Sequence, residues 1–154
     1  MRIAIAADHG GFEFKQRLTS HLESRGHEVI DFGPEAFDPA DDYPDFGIPA
    51  ARAVAEGRAD RAVLTCNNGI GMAMLANKIP GVRAATVYND QSAAHTRQHH
   101  DSNVLTLGGQ EFPEETLFRF TDIWLETAFE GGRHERRMKK IMEGTHPAAS
   151  GSEA

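Results

Sequence analysis

A single thiol, Cys66, heads the segment Cys66-Asn67-Asn68-Gly69-Ile70-Gly71. It follows a short apolar run, Ala62-Val63-Leu64, and precedes a glycine-containing turn that opens a helix. Backbone N–H groups and the helix dipole at such a place favour an anion. A thiolate there can act as a nucleophile or a general base. Gly69 and Gly71 let the backbone approach a ligand closely and align N–H groups as an anion nest. The structural alternative is a buried core cysteine, a common place for a free thiol. Asp8-His9-Gly10-Gly11, after the first apolar run, reads as an acid–imidazole pair or as turn residues suited to a strand end.

The chain has eight histidines. His95, His99 and His100 cluster, and His95 and His99 share a helix face at i and i+4. That spacing can bind a metal, but no third ligand is placed by the local sequence. A solvated helix face with one or two site histidines is the preferred reading, because a metal motif needs its full ligand set. Arg133, Arg136, Arg137, Lys139 and Lys140 form a basic stretch. A charge run is usually a solvated face, yet Arg133 and Arg137 at i and i+4 point the same way and suit a phosphate dianion. Dinucleotide and ATP motifs do not fit. Gly69-Ile70-Gly71 would need Gly or Ala at position 74, where Met74 stands, and there is no GxxxxGK[ST] loop.

These groups need a frame. Ile3 to Ala6, Val29 to Phe32, Ala62 to Leu64, Arg83 to Val87 and Val104 to Leu107 read as five buried strands. Between the first two, Phe14, Leu18 and Leu22 recur at helical spacing before Gly26. Further helices are expected from Phe46 to Glu56, from near Gly71, from near Gln91 and from Pro113 to Phe129. A short basic helix from Arg133 to Met142 follows the break at Gly131-Gly132. Strand–helix alternation at these lengths predicts a single-domain, doubly wound α/β three-layer sandwich with a five-stranded parallel sheet. Such sheets bind ligands at the carboxyl ends of their strands, and every group above, His99-His100 included, is expected at that end. Residues 1–143 are expected to form the domain and 144–154 a disordered tail.

Composition narrows the function classes. The chain has 154 residues, 40% hydrophobic, with Lys+Arg 16 against Asp+Glu 23 and a net charge of −7. An acidic chain of this kind is not a general nucleic-acid or anionic-membrane binder. No apolar run approaches the ~18 residues of a membrane span. The start lacks the features of a signal peptide, and one cysteine cannot form an internal disulfide. A cytoplasmic location is expected.

Taken together, a thiol base, an anion nest, an imidazole and paired arginines resemble the type B ribose-5-phosphate isomerases and the related galactose-6-phosphate isomerase subunits. The resemblance runs from Ile3-Ala4-Ile5-Ala6-Ala7-Asp8-His9-Gly10-Gly11 to Glu130-Gly131-Gly132-Arg133-His134. Between them lie Asp42-Tyr43-Pro44, Gly69-Ile70-Gly71, Ala76-Asn77-Lys78, Arg97-Gln98-His99 and Asn103-Val104-Leu105. It implies a metal-free, cofactor-free aldose–ketose isomerase of a sugar phosphate. It also implies a homodimer or homotetramer with sites between subunits. By resemblance Cys66 is the base that moves the proton and His99 assists ring opening. Asn67, Asn68, Gly69, Ile70 and Gly71 hold the enediolate oxygens, and Asp8 binds sugar hydroxyls. His9, Arg133 and Arg137 bind phosphate, and His100 touches the sugar.

The pocket departs from the family pattern. Asn67 and Asn68 replace a usual Gly-Thr or Gly-Ser pair, and Asn68 cannot relay a proton as a hydroxyl can. His100 stands where many relatives have Asn, and Gln110 where many have Arg. Ribose 5-phosphate and ribulose 5-phosphate are the expected pair. The departures motivate two alternatives: a four- or six-carbon sugar phosphate such as an erythrulose or allose phosphate, and a non-catalytic sugar-phosphate-binding module. A metal-dependent isomerase using His95 and His99 is a third.

Overall fold

In the computed structural model, which describes residues 1–146, the strands are β1 (Arg2–Ala7), β2 (Glu28–Asp31), β3 (Arg61–Cys66), β4 (Ala84–Thr86) and β5 (Val104–Gly108). They form one all-parallel sheet in the order β2-β1-β3-β5-β4. The helices are α1 (Phe12–Ser24), α2 (Tyr43–Ala55), α3 (Ile70–Ala76), α4 (Asp90–Gln98), α5 (Glu114–Glu126) and α6 (Arg133–Thr145). Ile3, Ala4, Ile5 and Ala6 are all fully buried, as a strand covered on both faces requires.

Side chains alternate across the sheet, so two cores form. Ile3, Ile5, Val63, Leu105 and Leu107 pack with α1, α4 and α5 through Phe14, Leu18, Ala93, Leu117, Phe120 and Trp124. Ala4, Ala6, Ala62 and Leu64 pack with α2 and α3 through Ala50, Ala53, Met72 and Ala76. The strand order explains which helix goes where. The chain steps one way along the sheet through α1 and α4, and the opposite way through α2 and α3. Right-handed crossovers place the two groups on opposite faces.

Element boundaries differ from expectation where side chains intervene. The Arg83 N–H donates to the Asn103 side chain at 2.8 Å, outside the strand ladder, and β4 begins at Ala84. Helix α2 starts three residues early because Pro44 suits a first helical turn. Helix α5 ends at Glu126, where Thr127 turns extended. Helix α6 continues through Gly144 to Thr145, within the stretch expected as tail, and residues 147–154 of that tail lie outside the described residues.

One expectation fails on direction. In a parallel sheet each helix returns antiparallel to the strands, so its last residues lie beside the amino end of the next strand. His99 and His100 close α4 and lead through Asp101 and Ser102 to Asn103, whose carbonyl accepts the Ala62 N–H at the start of β3. Cys66 pairs with Gly108, four residues further along the same ladder. That separation is ~13 Å at ~3.3 Å per residue. His99 and Cys66 therefore occupy opposite ends of the molecule.

The amino end is tightly tied. Arg97 is buried and donates to Asp101 at 2.8 Å, to the Ser102 carbonyl at 2.6 Å and to the Thr127 carbonyl at 3.4 Å. Trp124 is fully buried and donates through Nε1 to Ser102 Oγ at 2.8 Å. The Arg61 guanidinium lies 5.2 Å from its ring and donates to the Trp124 and Leu125 carbonyls. Burial pushes Arg61 down to about 10, and Arg97's charge adds to that effect, so Arg61 stays charged at neutral pH. Trp124→Ala should lower the unfolding free energy by about 3–5 kcal/mol. The measurement is urea unfolding followed by circular dichroism, and a loss under about 1 kcal/mol would remove Trp124 from the core of that end.

Candidate active site

Three turns converge at the carboxyl end. Gly10 lies so close to Asn67 that a Cβ there would stand 3.0 Å from the Asn67 backbone nitrogen, which joins the turn after β1 to the turn after β3. The segment after β5 closes the third side. The Gly109 N–H donates to the Cys66 carbonyl at 2.8 Å and the Gln110 N–H to the Asn67 carbonyl at 3.4 Å. Gln110 Nε2 reaches the Gly10 carbonyl at 3.3 Å. Asp8, Cys66 and Asn67 are thereby placed side by side by backbone contacts. Asp8 is 7% exposed, and its Oδ1 accepts the Gly10 N–H at 2.9 Å.

Cys66 is 5% exposed, so the core-cysteine reading has support in its burial. Its sulfur is not apolar in its contacts, however. Sγ accepts the Gly69 N–H at 3.2 Å. Helix α3 has only seven residues, so this direct N–H contact matters more than an extended helix dipole. Gly69 makes the contact possible by adopting φ +80°, and a Cβ there would lie 2.9 Å from the Leu107 carbonyl carbon.

The nest is partly occupied by its own residues. Besides the Gly69 N–H on Cys66, the Ile70 N–H donates to Asn68 Oδ1 at 3.1 Å. The Asn68 side-chain oxygen thus closes an Asx turn, while its Nδ2 has no partner among the described residues. Asn68 retains the hydrogen-bond donor that chemistry at this turn would use. The Tyr43 ring covers Gly71, since a Cβ at Gly71 would meet Tyr43 Cζ at 2.6 Å. Sequence reasoning gave Tyr43 no individual role, although Asp42-Tyr43-Pro44 lies within the resemblance.

His9 stands beside this group with its Nδ1 2.6 Å from Asp41 Oδ1. Its acid partner is therefore Asp41 rather than the adjacent Asp8. Asp41 does not stand out in the sequence, because 32 residues separate the pair. The hydrogen bond with Asp41 holds the His9 imidazole above its usual pKa, with desolvation opposing and the charges of Asp8, Asp41 and Asp38 reinforcing.

The second group lies at the amino end. His99 stacks on His134 at 4.3 Å between centroids with planes 10° apart, and on His95 at 4.7 Å. His100 meets His99 edge-on at 6.1 Å. Gly131 and Gly132, both at positive φ, turn the chain into α6. The Glu130 N–H donates to the Gln98 carbonyl at 3.1 Å, which fixes that turn beside α4. Arg133 and Arg137 are exposed, one helical turn apart, and pair with no acid among the described residues. His99, Glu130 and His134 offer ligand atoms within 4.8 Å of one another, with His95 outside that group. Near-parallel stacked rings cannot both direct in-plane lone pairs at one ion without turning.

The Ribose/Galactose Isomerase family profile matches residues 3–141. The chain belongs to the ribose/galactose isomerase family. Ribose-5-phosphate isomerase B of Escherichia coli is 40% identical over 140 residues, covering 91% of this chain and 93% of that protein. The structure of Clostridium thermocellum ribose-5-phosphate isomerase B superposes with a TM-score of 0.90 at 43% identity, covering 93% of this chain and 96% of that one. The Mycoplasma genitalium enzyme with bound ribulose-5-phosphate gives a TM-score of 0.92 at 39% identity, covering 96% and 97%. The family carries the expected doubly wound sheet, and no described helix is long and apolar enough to cross a membrane.

Because Gly69 combines positive φ with a backbone neighbour, Gly69→Ala should destabilise the fold by about 1–3 kcal/mol. Thermal unfolding checks this. An unchanged midpoint would mean that the turn relaxes freely, and that it does not hold Cys66.

Proposed function

We propose that this chain is an aldose–ketose isomerase interconverting ribose 5-phosphate and ribulose 5-phosphate, with each site shared by the two protomers of a homodimer. The observation that carries the reading is the split placement: Cys66 and its turn at one end of the sheet, His99, His100, Arg133 and Arg137 at the other. A protomer alone holds two half-sites. Two-fold pairing brings one copy's carboxyl end to the other's amino end, and an isologous interface creates two complete sites at once. The exposed Ile141 of α6, 51% accessible, and the open edge of β4 are surfaces that a second copy would cover.

In the proposed mechanism His99 moves a proton to open the sugar ring. The Cys66 thiolate then takes the proton from C2 of the open aldose, and the carbonyl electrons move to O1 to give an enediolate. Backbone N–H groups of the Asn67–Gly71 turn not already engaged, with the Asn68 amide, stabilise the oxygens that gain charge. The same thiol returns its proton to C1 while the O2 hydroxyl proton passes to O1, leaving the C2 carbonyl of the ketose, so the reaction consumes no redox equivalent. Asp8 accepts from sugar hydroxyls and His100 contacts the sugar. His9 from one copy and Arg133 and Arg137 from the other hold the phosphate dianion. The relatives, named as ribose-5-phosphate isomerases, support the pentose, and the Mycoplasma complex supports ribulose 5-phosphate as ligand.

Cys66→Ala should lower kcat on ribose 5-phosphate by about 10²–10⁴-fold with little change in KM. Assayed beside four- and six-carbon sugar phosphates, the pentose should be preferred. Equal turnover by wild type and variant would overturn the role of Cys66. Subunit sharing has its own test. Inactive Cys66→Ala and His99→Asn proteins, unfolded and refolded as a mixture, should recover roughly a quarter of wild-type activity, because random pairing rebuilds one site in each mixed dimer. No recovery, with mixed dimers confirmed by mass spectrometry, would place both residues in one protomer's site.

A further inference from the structure

His9 is held by more than its own turn. Asp41 Oδ1 lies 2.6 Å from Nδ1 and also accepts the His9 backbone N–H at 3.0 Å. The Asp41 side chain is 7% exposed against 41% for His9. Asp41 Oδ2 is buried and has no hydrogen-bond partner among the described residues. A carboxylate this enclosed, with one oxygen unanswered, is costly unless a positive group compensates. The imidazole is the group that touches it. His9 also lines a polar cavity of about 210 Å³, together with Glu13, Arg17, Phe37 and Gln110. His9 Nε2 makes no hydrogen bond among the described residues.

We propose that Asp41 is a positioning residue for phosphate recognition, fixing the His9 ring and holding it as the imidazolium so that Nε2–H donates to a phosphate oxygen. This rests on the reading of His9 as a phosphate-binding residue. Donor count decides the protonation state. A neutral ring that gives its Nδ1 proton to Asp41 presents a lone pair at Nε2, and a lone pair facing a phosphate oxygen sets acceptor against acceptor. Only the doubly protonated ring donates at both nitrogens. Pairing with Asp41 and binding of phosphate therefore demand the same protonation state.

The charged surroundings agree. Asp8 follows β1, and Asp38 and Asp41 belong to the β2–α2 segment; all three favour the imidazolium. Glu13 and Arg17 face the cavity from α1, where Arg17 is paired with Glu114, and Gln110 from the β5–α5 segment is neutral. A raised imidazole pKa keeps the cation to higher pH. Removing Asp41 must move its loss, and the weakening of phosphate binding, to lower pH.

The test is a carbon-detected NMR titration of the His9 ring in wild type and Asp41→Asn, assigned by the signal missing in His9→Asn. Inorganic phosphate binding is measured across the same pH range. The expected result is a lower His9 midpoint in Asp41→Asn and phosphate binding that weakens from a lower pH. At pH 7.5, KM for ribose 5-phosphate should rise about tenfold, the scale of losing a charge-assisted hydrogen bond, with kcat within about twofold. Asp41→Glu should restore part of the midpoint. His9→Asn in wild type should remove this pH dependence of phosphate binding, a readout that stands if Asp41→Asn fails to fold. An unchanged midpoint, or a fall in kcat at constant KM, overturns the proposal. The titration and phosphate arms need no turnover. A wild type that converts no pentose, yet shows both shifts, would sink the isomerase reading and leave the Asp41–His9 pair standing.

Discussion

A parallel sheet imposes a rule that no side chain can evade: the turn leaving a strand and the last residues of a helix lie at opposite ends of the molecule. In this chain the rule separates the thiol at the end of β3 from the imidazoles at the end of α4. The rest of the architecture serves one end or the other. Backbone contacts through Gly10, Gly109 and Gln110 bring the turns after β1, β3 and β5 together. Arg97, Arg61 and Trp124 tie down the other end through carbonyl and hydroxyl acceptors. Each half is thus rigidly preassembled, and the proposed shared site asks only for rigid docking of one copy against another.

Much of the frame was legible because its signals are strong and local. Five apolar runs in alternation with helical periods specify a parallel sheet, and the Phe14-Leu18-Leu22 spacing marks the buried face of α1. The end assigned to His99 was misread because adjacency to a strand in sequence says nothing of which end is meant. Asp41 escaped notice for a different reason. It sits among several acids in an irregular segment, and only the folded path brings it to His9. Nor could residue types reveal that the Asn68 side-chain oxygen turns back onto the Ile70 N–H.

That last contact gives the unusual Asn67-Asn68 pair a physical meaning. A hydroxyl at position 68 would offer a single proton and two lone pairs, whereas an amide divides its functions between two atoms. Here the oxygen organises the turn and the nitrogen has no partner among the described residues. The substitution exchanges a group able to pass a proton for one able only to donate a hydrogen bond. In the proposed mechanism the thiol carries only the carbon-bound proton out and back, and the O2 proton passes to O1 without a side-chain hydroxyl.

The two faces of the sheet are built from side chains of very different size. On the α2–α3 face Ala4, Ala6, Ala50, Ala51, Ala53, Ala62 and Ala76 dominate, while Phe14, Leu18, Leu117, Phe120 and Trp124 fill the other. Small residues let helices sit close to the strands and leave no slack for an added methylene. Bulky ones leave holes when cut back. The protein should therefore drift through sequence space asymmetrically, resisting growth of its side chains on one side of the sheet and their shrinkage on the other.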